Sequence, residues 1–157
     1  MDHPTGVAVD AHGVLYIADA LNERIRRVGT DDIITTFAGG GDSPGDGGQA
    51  TQASLRGPYG VAVDADGNVY IADQHNERVR RVGSDGTITT VAGTEMFGFS
   101  GDGGRATEAR LNSPVGVTVD ANGVLYIADR INNRIRRIEG KRIAAVISAS
   151  DTFQNHR

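Results

Sequence analysis

The chain has 157 residues, enough for one ordinary domain that buries roughly 70% of the surface its unfolded form would expose. Glycine, at 22 residues, has about twice its usual share while aromatic residues make up 5%, a balance that favours tight turns and short strands over helices. A formal charge of −4 argues against nucleic acid or an anionic membrane as partner. The lack of cysteine excludes disulfides, thiolate metal sites and thiol nucleophiles, and no run of 18 apolar residues exists to form a membrane-spanning helix.

From the N-terminus, MDHPTGVAVD lacks the basic start and apolar stretch of a signal peptide. Its Pro4 opens a passage, PTGVAVDAHGVLYIADALNERIRRV (4–28), that returns as PYGVAVDADGNVYIADQHNERVRRV (58–82) and PVGVTVDANGVLYIADRINNRIRRI (114–138). Self-similarity at a long fixed period marks a repeat architecture, whose units bury their apolar faces against one another. In the middle copy GVAVD (60–64), VYIAD (69–73), RVRRV (78–82) and TITTVAG (87–93) are short β-branched runs at the spacing of a meander, which predicts four strands per unit. The first connection, Asp10 to Gly13, Asp64 to Gly67 and Asp120 to Gly123, fits a type I turn whose leading carboxylate caps a backbone N–H. The second has Asp19, Asp73 and Asp129 three residues before Asn22, Asn76 and Asn132, again with Asx chemistry at a hairpin. Between units, GDGGQATQASLRGP (45–58) and GDGGRATEARLNSP (101–114) predict a short helical turn capped by Asp46 or Asp102, plugged inward by Leu55 or Leu111 and ended by proline.

Antiparallel four-stranded units repeated about an axis are β-propeller blades. The pattern P-x-G-V-A-V-D, G-N-x-Y-I-A-D, N-x-R-I-R-R-V, I-T-T-V-A-G resembles the NHL repeat over about residues 4–147, in its long variant with the Gly-Asp-Gly-Gly linker found in bacterial repeat proteins and teneurin-like surface proteins. The resemblance implies an all-β propeller of usually six blades, with the first strand of each nearest the axis, and an extracytoplasmic parent. The expected layout is blade 1 over about 4–39, a linker at 40–57, blade 2 over 58–93, a linker at 94–113, blade 3 over 114–147 and a divergent tail at 148–157. Met1 aligns with Leu55 and Leu111, so the chain starts inside a motif and reads as a segment of something longer or as a decayed copy.

Three blades do not close a ring. The expected partners are therefore a second copy, giving six blades and two identical seams, or the missing blades of a longer chain. Residues identical in all copies are explained by blade geometry, which leaves the unrepeated ones as candidate sites. The nine third-strand arginines, Arg24, Arg26 and Arg27 with their equivalents, are expected to pair with acidic residues of the same and adjacent blades. Gly-Asp-Gly-Gly lacks the ligands of a calcium loop and the Lys and Ser/Thr of a phosphate loop. Of four histidines, His3, His12, His75 and His156, only His75 stands in a variable hairpin pair, which reads Ala20-Leu21, Gln74-His75 and Arg130-Ile131. Met96, Phe97 and Phe99 lie in an inserted interblade loop, either as a partner-binding tip or folded back on the linker. No histidine cluster and no nucleophile-base set is present, so no catalytic residue, metal or cofactor is expected. The expected function is a non-catalytic binding or scaffold module closing as a homodimer, with a protein or small-molecule ligand on the rim. The alternatives are a fragment of a propeller lyase or hydrolase, and an RNA-binding rim, which the charge disfavours.

Overall fold

The computed structural model describes residues 1–43 and 45–148. Twelve strands form three antiparallel sheets of four. The first sheet holds β1 (Pro4–Val9), β2 (Leu15–Asp19), β3 (Arg24–Val28) and β4 (Ile34–Gly39). The second holds β5 (Pro58–Val63), β6 (Val69–Asp73), β7 (Arg78–Val82) and β8 (Ile88–Ala92). The third holds β9 (Pro114–Val119), β10 (Leu125–Asp129), β11 (Arg134–Glu139) and β12 (Arg142–Ser148). Among the described residues helix is limited to single 3-10 turns, at Ala20–Asn22, Ala50–Gln52, Gln74–Asn76 and Ala106–Glu108. Apart from Ser148, the tail predicted over 148–157 lies outside the described residues.

The sheets are blades, each meandering outward from an inner strand, and the inner strands β1, β5 and β9 pack on one another. Glycine permits that approach. A Cβ on Gly60 would come within 2.5 Å of Val115 O, and one on Gly6 within 2.7 Å of Tyr59 O.

Strand alternation sends successive side chains to opposite blade faces, and the core lies between blades. Tyr16, Ala18, Ile25 and Ala38 of blade 1 meet Val61, Val69, Ile71, Val82 and Ile88 of blade 2. The reverse face of blade 2, with Tyr70, Val79, Val91 and Ala92, meets Leu125, Ile127, Ile138 and Ile143 of blade 3. Leu55 and Leu111 are buried in these wedges with the alanines of the linkers, Ala50 and Ala53 or Ala106 and Ala109.

Each linker also closes the outer edge of the blade that follows it. Gly47 N donates to Ile88 O at 2.8 Å, Ile88 N to Gly48 O at 3.0 Å and Ala50 N to Gly86 O at 2.8 Å. In blade 3, Gly103 N donates to Ile143 O, Ile143 N to Gly104 O and Ala106 N to Lys141 O. Blade 1 has no such cover among the described residues. Its Ile34 is 42% exposed where Ile88 and Ile143 are each 1% exposed.

The linker carboxylates depart from expectation. Asp46 and Asp102 do not cap the 3-10 turns, whose N-caps are Gln49 and Arg105 without any side-chain hydrogen bond. They lie too early in the linker to reach the turn. Instead each pairs with a buried arginine of the following blade, Asp46 Oδ1 with Arg80 at 2.9 Å and Asp102 Oδ1 with Arg136 at 2.8 Å. Asp46 also accepts from Thr90 N at 2.9 Å and from Thr90 Oγ1 at 3.0 Å.

Candidate functional site

Two rims and a central channel are available. The channel is walled by the inner strands, Val7 to Val9, Val61 to Val63 and Val117 to Val119, and carries no titratable side chain there. Among the described residues no group of three or more His, Asp or Glu is placed to hold a metal ion.

One rim carries the Asp-x-x-Gly turns. Asp10 Oδ1 accepts from His12 N and Val14 N, Asp64 Oδ1 from Asp66 N and Asn68 N, and Asp120 Oδ1 from Asn122 N and Val124 N, all between 2.8 and 3.0 Å. Asp64 takes two further bonds, from Asn68 Nδ2 at 2.8 Å and the Tyr70 hydroxyl at 3.0 Å. Burial alone would raise its pKa, but these donors outweigh burial and hold it below the ordinary 3.8. A folded-state value below the unfolded one means that the stabilisation is complete above the unfolded value and is lost as pH falls through the folded one. Thermal melts should therefore lose Tm as pH drops below about 4. The loss should be shallower in Asp64→Asn, and equal slopes in the two proteins would contradict this.

The opposite rim carries the second hairpins, and each is built on a buried aspartate. Asp73 is fully buried; it accepts from Arg56 N at 2.8 Å, Asn76 Nδ2 at 2.9 Å and Arg80 Nη1 at 3.5 Å. Asp129 repeats this with Asn112 N at 2.7 Å, Asn132 Nδ2 at 2.8 Å and Arg136 Nη1 at 3.0 Å. Asp19 accepts from Asp2 N at 2.7 Å and from Asn22. Arg80 and Arg136 thus lie wholly buried, each between an aspartate of its own hairpin and one of the preceding linker. Arg26, at the same place in blade 1, is half-buried, and its side chain hydrogen-bonds to no described residue; its Nε is buried without a partner among them.

The hairpin tips differ between blades. Gln74 is held at 2.8 Å by Ser113 Oγ, and Glu77 Oε2 accepts from Ser113 N at 2.6 Å, so this tip of blade 2 is fastened to the entry of blade 3. Burial raises the Glu77 carboxyl against that backbone bond. His75 is exposed, and its ring lies beside Gly57. Arg130 is exposed and Ile131 is 54% exposed. The inserted loop joins this rim, because Asn132 Nδ2 donates to Gly98 O at 2.7 Å. Its three large side chains part company. Phe99 lies under the Arg134 guanidinium at 4.0 Å, with Arg136 at 5.0 Å, whereas Met96 and Phe97 stand 55% and 73% exposed. The structure thus gathers Arg130, Ile131, Met96 and Phe97 around one loop cluster, with Gln74 and His75 one blade away. Sequence reasoning missed the left-handed residues that shape the tips, Glu23, Glu77 and Asn133 at φ 53°, 54° and 51°. Their signal is faint, since of these three residues only Asn133 is of a type enriched in that region.

The family model described as "Teneurin NHL domain" matches residues 40–100 and 98–157. The chain belongs to that family. Teneurin-1 of Homo sapiens is 32% identical over an alignment 169 positions long, covering 88% of this chain and 6% of its own length. Protein SUPPRESSOR OF QUENCHING 1, chloroplastic, of Arabidopsis thaliana is 31% identical over 134 residues, covering 79% and 12%. The NHL chain therefore spans a small part of the length of these relatives. Among solved structures, an auxiliary nutrient binding protein from Bacteroides thetaiotaomicron superposes with a TM-score of 0.69 at 25% identity, over 88% of this chain and 36% of that one.

Proposed function

We propose that this NHL chain is a non-catalytic binding module that completes a six-bladed ring with a second copy of itself. The observation that carries the reading is the match between its two free blade faces. Blade 1 turns Val7, Leu15, Ile17, Val28 and Ile34 outward, the positions that in blade 2 (Val61, Val69, Ile71, Val82, Ile88) pack on the preceding blade. Blade 3 turns Tyr126, Ala128, Ile135, Val146 and Ile147 outward, the positions that in blade 2 (Tyr70, Ala72, Val79, Val91, Ala92) pack towards the following one. Each end of the chain thus carries the equivalent of a face that is buried between blades within the chain, which supports a seam between the two ends. A twofold axis would join them in two identical seams and close the ring. Val7 at 63%, Val146 at 47% and Ile147 at 52% exposure are apolar area that such a seam would remove from water. Additional blades of a longer chain would cover the same faces, as the small share of each relative that the chain spans allows.

Catalysis is disfavoured by where the ionisable groups sit. Of the buried ones, Asp73 with Arg80 and Asp129 with Arg136 form repeated ion pairs, Asp19 is held by Asp2 N and Asn22 and Arg78 pairs with Glu95, and the channel wall is aliphatic apart from Thr118. Ligand contact is assigned to the rim of Gln74, His75, Arg130 and Ile131 with Met96, Phe97 and Phe99, whose composition differs from blade to blade as recognition requires. Light scattering on a sizing column tests closure. A particle of twice 16.5 kDa is expected, reduced to one chain by Val146→Lys or Ile34→Lys. A wild-type chain that remains a single soluble protomer at micromolar concentration would refute it.

A further inference from the structure

The two wedges between blades are built from the same motif yet do not enclose the same space. Between blades 1 and 2 the Tyr16 ring meets Phe37 edge-on, with centroids 5.0 Å apart, and both pack against the apolar cluster of that wedge. Between blades 2 and 3 the residue at the Phe37 position is Val91, and a cleft of about 440 Å³ opens against Tyr70, Leu125 and Ile138. That volume lies within the range of about 300–1,000 Å³ usual for small-molecule sites.

Its mouth is cationic, again through residues that the first wedge lacks. The hydrogen bonds from Ala50 N to Gly86 O and from Ala106 N to Lys141 O put Gly86 and Lys141 at equivalent places, and Gln49 and Arg105 just before them. A neutral Gln49-Gly86 pair is thus replaced by Arg105 and Lys141, both lining the cleft and both exposed. Neither has an ion-pair partner among the described residues. Arg81 also lines the cleft but is engaged with Asn68 Oδ1, while Asp64 stands behind the Tyr70 hydroxyl; among the described residues no carboxylate lines the cleft itself. Two uncommitted cations over an apolar slot form a receptor for an anion attached to an apolar body, because the charge selects the head while Val91, Leu125 and Ile138 desolvate the rest.

We propose that this cleft binds a small organic acid, a carboxylate carried on a flat apolar body, with Arg105 and Lys141 receiving the carboxylate. The site lies wholly within one chain and does not depend on closure by a second copy. The probe is 2-naphthoate, titrated calorimetrically beside its neutral isostere 2-naphthamide. One site per chain is expected, with the amide bound about tenfold or more weakly, the size of one charge-assisted hydrogen bond. Arg105→Gln with Lys141→Gly, which installs the first wedge's residues, should remove the preference for the acid. Val91→Phe, also taken from the first wedge, should weaken both ligands about tenfold or more without lowering Tm. Absence of saturable binding at millimolar naphthoate, equal binding of acid and amide, or undiminished binding to Val91→Phe would each overturn the assignment.

Discussion

Replacing Arg80 by Leu should destabilise the protein by about 3–5 kcal/mol, whereas Arg26→Leu, the same change one repeat earlier, should lie within about 1 kcal/mol. The guanidinium of Arg80 is fully buried between Asp73, itself fully buried, and Asp46, which is 41% exposed. Leucine would leave the Asp73 carboxylate in the interior with Arg56 N and Asn76 as hydrogen-bond donors and the more distant Arg78 charge in place of a direct ion pair. Removing one member of a buried pair is costly because the remaining ion loses its compensation without regaining water. Arg26 holds no linker aspartate among the described residues and is half-buried, and its neighbour Asp19 keeps Asp2 N and Asn22 as donors, so the small loss applies to the dissociated Val146→Lys chain, in which water reaches this face. Chemical denaturation of the two variants measures the difference, and equal losses would show that the repeat position, not its partner set, decides the cost. Adding Asp73→Asn to Arg80→Leu should recover part of the loss, since the stranded charge is then gone.

Leu111→Ala should cost about 2–5 kcal/mol, the range for a fully buried leucine whose surroundings collapse only partly. Leu111 is 0% exposed and packs with Ala106, Ala109, Leu125 and Ile127 where blades 2 and 3 meet. Met1 stands at the equivalent position ahead of blade 1 and is 70% exposed. In the dissociated Val146→Lys chain, where this face is open to water, Met1→Leu should therefore fall within about 0.5 kcal/mol, as surface changes do. Thermal unfolding of both variants checks this, and a small Leu111→Ala effect would mean that the second wedge is less tightly packed than its burial indicates.

The parts of this fold legible in the sequence are those set by short-range chemistry. Asp10, Asp64 and Asp120 reach backbone N–H groups two and four residues ahead, so spacing alone identifies the turn. The four strands per unit follow from alternation and turn spacing in the same way. What the spacing does not disclose is the destination of Asp46 and Asp102. Their arginines lie 34 residues downstream, and the pairing depends on the linker running along the outer edge of the next blade. The candidate rim was legible as a set of variable tips at Gln74-His75 and Arg130-Ile131, but its internal ties were not. Gln74 to Ser113 and Asn132 to Gly98 are contacts across the wedge, fixed by the rotation of one blade on another. The second-wedge cleft was illegible for a related reason. Phe37 against Val91 is an ordinary exchange of apolar residues until the volume opposite them is known.

The edge-closing linker also says where this molecule can be divided. Read along the chain, the natural module is a blade and the linker that trails it. Most of the linker's edge hydrogen bonds and its aspartate, however, belong to the blade that comes after. The block that duplication could copy, or a protein engineer could add, without separating partners is therefore the leading linker with its blade, 45–93 or 101–148. A cut placed at the proline opening a blade would carry away four strands and leave behind the segment that seals their outer edge.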